Sequence, residues 1–288
     1  MTEIAIILLP LLAGVILFFP PERFRLFKGL LALLTAAATL WMSALTYSGS
    51  KGLHTMSFSD IYPSLNALPE GLSTSIENFC TFNIDNLSRL ILLLISVFAI
   101  LVLIYSFVYD KKTRVRNFHA WFMITVGSAS GAVLADNLLL FLFFWGLLGI
   151  TLYKLIYGSN EQSSAAAKKT LILIGASDSI MIVGIALLWK ISGSLSMAGM
   201  NITETGPLPA AAFLALLAGS FTKAGAFPFH TWVPDYSANA PASSTAFLPA
   251  ALDKLLGIYF LARITAGMFE LFEWMKLLLL ITGSVTII

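Results

Sequence analysis

The chain has 288 residues, of which 58% are hydrophobic and only 11% charged, against roughly 25% charged in a soluble domain. Together with a mean hydropathy of +0.88, this excludes a soluble globular enzyme and points to a polytopic membrane protein. The net charge of +2 says little about partners, because membrane orientation depends on where Lys and Arg fall.

Apolar runs of about 20 residues mark the spans in chain order. The first covers residues 4–19 and the second 29–47, with a basic turn of Arg23, Arg25 and Lys28 between them. The acid Glu3 and the Pro20-Pro21 pair argue against a cleavable signal, so the first run reads as a span. A polar, turn-rich segment follows over residues 48–85. The third span, 87–109, ends in a charged run over residues 110–116. The fourth, 118–135, stops at Asp136-Asn137, and the fifth, 138–157, leads to a polar loop carrying Lys168 and Lys169. The sixth covers 170–189, with Asp178 near its middle. The seventh starts near Ala210 and is interrupted at Pro228, and the eighth covers 243–264. A ninth begins near Trp274 and is still apolar at Ile288, which reads as a truncated end.

The expected fold is therefore an all-α, polytopic transmembrane helix bundle of about nine spans with a broken seventh helix. Lys and Arg gather in alternate loops, at residues 23–28, 111–116 and 168–169. By the positive-inside rule that side is cytoplasmic and the N-terminus lies outside a cell (inner) membrane. The lone cysteine, Cys80, rules out an internal disulfide or a cysteine-held metal centre. His54, His119 and His230 are far apart and lack metal-ligand spacing. No metal, cofactor or nucleic-acid partner is expected.

Two lysines, Lys223 and Lys254, sit inside apolar runs. A charged side chain at bilayer depth costs about 3 kcal/mol on insertion scales. Such residues mark ion pathways, salt bridges or gates. Burial lowers a lysine's proton affinity and a nearby carboxylate restores it, so a lysine whose acid partner moves can load and release a proton. The Pro228 break frees backbone groups, which membranes tolerate only beside protein or water. Lys223 is thus expected to face a hydrated path, with His230 beyond the break as a candidate gate near neutral pH. Asp178 is a candidate carboxylate partner. Asp253 reads as a local counter-charge to Lys254, although neighbours on a helix point about 100° apart. The plainer readings are that Lys154 and Lys276 snorkel to the interface and that Trp145, Trp232 and Trp274 only pack.

At these residues the chain resembles a known family. GSFTKAGAFPFHTWVPD from Gly219, followed by LPAALDKLLGIYFLAR from Leu248, looks like the antiporter-like membrane subunits. These are shared by respiratory complex I, multisubunit sodium/proton antiporters and energy-converting hydrogenases. FNIDNLSR from Phe82 and LADNLLLFLFFW from Leu134 support it, and the wording of the eighth span looks most like the Ech-type hydrogenase branch. The resemblance implies that Lys223 is the lysine of the broken helix and Lys254 the relay on the next one. It also implies a first five-helix repeat over residues 118–264, preceded by entry helices 1–117 and followed by the start of a second, inverted repeat at 265–288.

Two departures stand out. Gly146 holds the place where the family usually carries a glutamate after the Trp, so either Asp178, Asp253 or a neighbouring protein of the complex supplies the acid, or the path is altered. The chain also stops just inside the second repeat. The expected function is proton or sodium translocation within a redox-driven ion-pumping complex, in contact with other membrane subunits and the lipid bilayer. The alternatives are a cation/proton antiporter without redox coupling, or an inactive structural component.

Overall fold

The structure, a computed structural model, describes residues 2–49, 54–56, 78–109, 115–157 and 161–287. Most of the polar segment read between the second and third spans, and most of the charged run after the third, lie outside the described residues. Among the described residues the fold is all-α, with one short antiparallel strand pair, β1 (His54–Met56) and β2 (Phe82–Ile84). All nine apolar runs are helices. Among the described residues, five helices are long and apolar enough to cross a membrane on their own, and three shorter apolar ones cover Glu3–Ile16, Phe118–Leu134 and Leu138–Lys154.

The chain forms two compact units. The first holds α1 (Thr2–Ile16), a 3-10 turn (Glu22–Phe24), α2 (Arg25–Ser48), α3 (Asn86–Tyr109), α4 (Phe118–Leu134) and most of α5 (Leu138–Lys154). α4 is buried around nearly its whole circumference. Its run of small residues lets α1 approach closely, and a Cβ added at Gly127 would lie 2.6 Å from Leu11 Cγ. Backbones that meet through small residues are how helices pack where lipid gives no hydrophobic drive. Lys28, read as part of a basic turn, is only 1% exposed. Its ammonium donates to Glu22 Oε1 at 2.7 Å and to Asn117 Oδ1 at 3.1 Å. The local acid Glu22 and the left-handed Asn117, φ 55°, make burial of that charge tolerable.

The second unit holds the end of α5 from Leu152, then α6 (Glu161–Ser192), α7 (Pro207–Ala224), α8 (Trp232–Asn239) and α9 (Ala242–Phe247). A π turn (Leu248–Leu252), α10 (Asp253–Arg263), a second π turn (Ile264–Met268) and α11 (Glu273–Ile287) complete it. α6 starts well before the predicted span, so Lys168 and Lys169 ride on a helix and not in a loop. The alanines at 165–167 are strong helix formers and carry the helix outward. With 32 residues, α6 is about 48 Å long at 1.5 Å per residue, enough to project beyond a ~30 Å hydrocarbon layer. The seventh span ends at Ala224, before Pro228. Gly225 takes the left-handed φ of 69°, and Ala226 N–H returns to Phe221 O at 2.9 Å. This is a glycine-terminated cap that closes the helix without help from the proline.

Candidate functional site: a buried lysine–aspartate pair

The site is built where α7 and α10 touch. Lys223 occupies the last turn of α7, and its side chain is fully buried, as is that of Asp253 at the first position of α10. Lys223 Nζ donates to Asp253 Oδ1 at 3.3 Å. That is longer than the roughly 2.7–2.9 Å of a tight charge-assisted bond, so the pair is engaged with room to tighten or part.

Close helix contact puts the two groups in reach. A Cβ on Gly257, one turn after Asp253, would lie 2.4 Å from Ala224 N. Only glycine lets the backbones come this near. Ser220 Oγ adds a cross-link by donating to the Gly257 carbonyl at 2.8 Å. The capped end of α7 is tied down as well, since Trp232 Nε1 donates to Thr222 O at 2.8 Å. Trp232, expected only to pack, therefore clamps the turn that carries Lys223.

The sequence-predicted residues fall into distinct positions. Asp253, read as a local counter-charge to Lys254, is turned toward Lys223. Lys254, expected to be buried in the bundle alongside Lys223, is exposed. The reason is helical phase: with Asp253 facing α7, the next residue is rotated by about 100° and points out of the unit. Asp178 is half-buried on α6. A Cβ on Gly184 would meet Ala215, and one on Gly219 would meet Met181. This antiparallel register carries Asp178, one turn earlier on α6, to the level of the turn bearing Lys223. His230 is exposed beyond the break, with its ring stacked on Phe227 at 5.9 Å between centroids. Pro228 lies in the same exposed segment, preceded by a cis peptide bond. Gly146 belongs to the first unit, and a Cβ there would meet nothing within 4 Å.

Two groups escape the sequence reading. Tyr236 on α8 is fully buried and within electrostatic reach of Asp253, and its hydroxyl donates to Leu152 O at 3.5 Å. Lys169 on α6 pairs with Asp235 on α8 at the exposed rim. The stretch HTWVPDY carries both α8 residues, but its spacing alone does not separate an anchoring Trp, a buried Tyr and a rim acid. Lys154 lies over the rings of Tyr153 and Tyr157, and Lys276 pairs with Glu273 at the surface.

The sequence signature of the NADH:quinone oxidoreductase/Mrp antiporter transmembrane family matches residues 135–288, which include the whole pair. The chain belongs to this family. It is 34% identical over 209 residues to the A-type component of the Na(+)/H(+) antiporter of Alkalihalophilus pseudofirmus, covering 70% of this chain and 26% of that one. It is 32% identical over 219 residues to the corresponding A1 component of the Na(+)/H(+) antiporter of Staphylococcus aureus (strain bovine RF122 / ET3-1), covering 73% and 26%. The chain thus spans about a quarter of the length of these relatives.

Three solved structures share the fold. Respiratory complex I from Thermus thermophilus with bound aureothin superposes with a TM-score of 0.70 at 23% identity, over 91% of this chain and 53% of that one. The archaeal membrane-bound sulfane sulfur reductase gives 0.74 at 19%, over 98% and 57%. The Mrp complex from Dietzia sp. DQ12-45-1b gives 0.72 at 20%, over 92% and 49%.

Proposed function

We propose that the chain is an ion-translocating member of a multisubunit membrane complex, and that it moves protons through its second unit. Lys223 is the central carrier and Asp253 the carboxylate it exchanges with. The observation that carries this reading is the pair itself: an ammonium and a carboxylate, both without solvent exposure, at the broken end of a membrane helix. A buried ion pair is weak as a stabilising device, because desolvation takes back most of the attraction. Its cost is better matched to a group that must change charge.

The elementary step conserves charge. A proton passes from Lys223 Nζ to Asp253 Oδ1, converting ammonium and carboxylate to amine and carboxylic acid. The neutral pair separates without leaving a naked charge behind. Asp253 then gives up its proton and Lys223 takes another from the opposite side. Asp253 thereby fills the role left open by Gly146. In this reading Lys254, which faces out of the unit, relays charge onward, His230 is the gate to solvent, and Asp178 is a second carboxylate for Lys223. The three basic clusters favour an N-terminus outside the cell membrane. Redox-driven pumping and cation/proton antiport use the same pair, and the two antiporter relatives favour antiport as the setting.

The test is proton flux through the complete complex in sealed vesicles. Lys223→Ala should reduce flux to background, and undiminished flux would overturn the assignment. Because the pair already holds its acid, Gly146→Glu should change flux by less than about twofold. A large gain there would instead mean that the native chain is a dormant scaffold missing its carboxylate.

A further inference from the structure

α11 runs beside the lysine-bearing helix α7 and is fastened at both ends. Near its start, Ile202 N–H donates to Met268 O at 2.9 Å and Glu270 N–H returns to Ile202 O at 3.0 Å. The Phe213 ring on α7 meets Phe269 at 5.4 Å and Trp274 at 5.7 Å between centroids. Twelve residues after Trp274, about 18 Å along the helix, Thr286 Oγ1 accepts from the backbone N–H of Phe227 at 3.1 Å. Phe213 lies near the start of α7 and Phe227 just past its end. The two helices therefore run parallel, with α11 tied to the segment that leaves α7.

The inward face of α11 is marked by its burial. Met275 is buried and Leu278, Leu279 and Thr282 are half-buried, whereas Leu277, Leu280 and Ile281 are exposed. Positions 275, 278, 279, 282 and 286 recur at three- and four-residue spacing, which is one stripe of a helix, and Thr286 ends that stripe. Its hydroxyl is oriented by its own helix, donating to Thr282 O at 2.6 Å, as threonines on helices do. With the proton committed there, only lone pairs remain to meet Phe227 N–H. Phe227 and Thr286 are both exposed, so water would satisfy either group. The consequence of the bond is position, not the relief of a buried donor.

What is positioned lies four residues away. Between Lys223 and Phe227 the chain is a closed turn: Gly225 N–H donates to Thr222 O at 3.2 Å and Ala226 N–H to Phe221 O at 2.9 Å. A displacement of Phe227 is thus carried into the turn that bears Lys223, whose ammonium stands 3.3 Å from Asp253 Oδ1. We infer that Thr286 is a positioning residue for proton transfer: α11 is a brace, and its last inward hydroxyl fixes the segment leaving α7 and, through it, the placing of Lys223 against Asp253. The inference rests on the function proposed above. It extends the site beyond the eighth span, into residues 265–288.

The test is proton flux through the complete complex in sealed vesicles. Thr286→Val keeps the shape and removes the acceptor, and it should slow flux by about threefold or more, the factor that one net hydrogen bond is worth. Thr286→Ser keeps the acceptor and should match the parent. Thr282→Val is the control: among the described residues the Thr282 hydroxyl bonds only to Leu278 O and Leu279 O of its own helix, and its loss should leave flux unchanged. Amide hydrogen exchange gives a second readout, since the peptide holding Phe227 should exchange faster in Thr286→Val and at the parent rate in Thr286→Ser. If the valine variant does not assemble, Thr286→Ala serves in its place with the same expectations. Full flux or unaltered exchange in the variant lacking the hydroxyl, or an equal loss of flux in Thr286→Ser or Thr282→Val, overturns the inference. Its failure is separable from that of the proposed function: undiminished flux in Lys223→Ala removes the carrier itself, whereas full flux in Thr286→Val beside an inactive Lys223→Ala removes only the brace.

Discussion

Asp253→Asn should lower proton flux by at least tenfold and destabilise the second unit at the same time. Asparagine keeps the size and one acceptor oxygen, so the loss isolates the negative charge. Without it, Lys223 stays fully buried in the capped last turn of α7. Removing one member of a buried pair costs about 3–5 kcal/mol, because the partner charge is left uncompensated. Lys223 then either sheds its proton or strains the α7–α10 contact, and in neither state can it cycle. A double replacement separates the two effects. Lys223→Met with Asp253→Leu removes both desolvation costs and should return the unfolding temperature to near that of the parent, while flux stays at background. Thermal unfolding of the purified protein and flux in vesicles read the two arms. Normal flux in Asp253→Asn would mean that another carboxylate serves Lys223, and Asp178, level with it on α6, would be the first to replace.

How far the sequence alone reaches is clear from these same residues. Lys223 is legible because a lysine in an apolar run is costly in any membrane fold, and the cost does not depend on tertiary detail. The helix break is legible for a related reason, although the chain actually turns at Gly225 and Pro228 follows. Asp253 and Lys254 are harder, because adjacent residues look interchangeable until the helix phase is known. That phase is set by a glycine contact and a π turn, neither of which leaves a periodic trace in hydropathy. Gly257, a full turn after Asp253, is the available signal: a glycine one turn from a buried acid marks the face where another backbone comes close. Lys28 misleads in the opposite direction. It counts as one more positive charge in a loop, while Glu22 and Asn117 enclose it in the first unit. Asn117 lies 89 residues away in sequence, so no local window connects the two. The outward start of α6 is hidden because polar residues at 161–169 read as loop, although their helix propensity is good.

Gly257→Leu should be nearly as damaging as loss of the aspartate, and for a purely steric reason. Even the first carbon of a side chain at this position would sit 2.4 Å from Ala224 N and 2.8 Å from Ala224 Cα. These are backbone atoms and cannot swing aside, so α10 has to move away from α7 by about an ångström or more, toward ordinary carbon contact. That shift stretches the Ser220–Gly257 bond of 2.8 Å, whose rupture costs about 1 kcal/mol. It also acts on an ion pair already at 3.3 Å, beyond the ideal distance for its type. Overpacking alone costs roughly 1–3 kcal/mol, and separation of the pair adds the cost of two buried charges losing contact. Gly257→Ala should show the same trend in smaller measure. The diagnostic comparison places Gly257→Leu on the Lys223→Met, Asp253→Leu background. If the substitution acts by parting the ion pair, much of its penalty in unfolding temperature should vanish there, leaving only the packing part. If the penalty is the same on both backgrounds, the helix contact and the pair are independent. The glycine would then be a packing residue with no hand in holding Lys223 and Asp253 together.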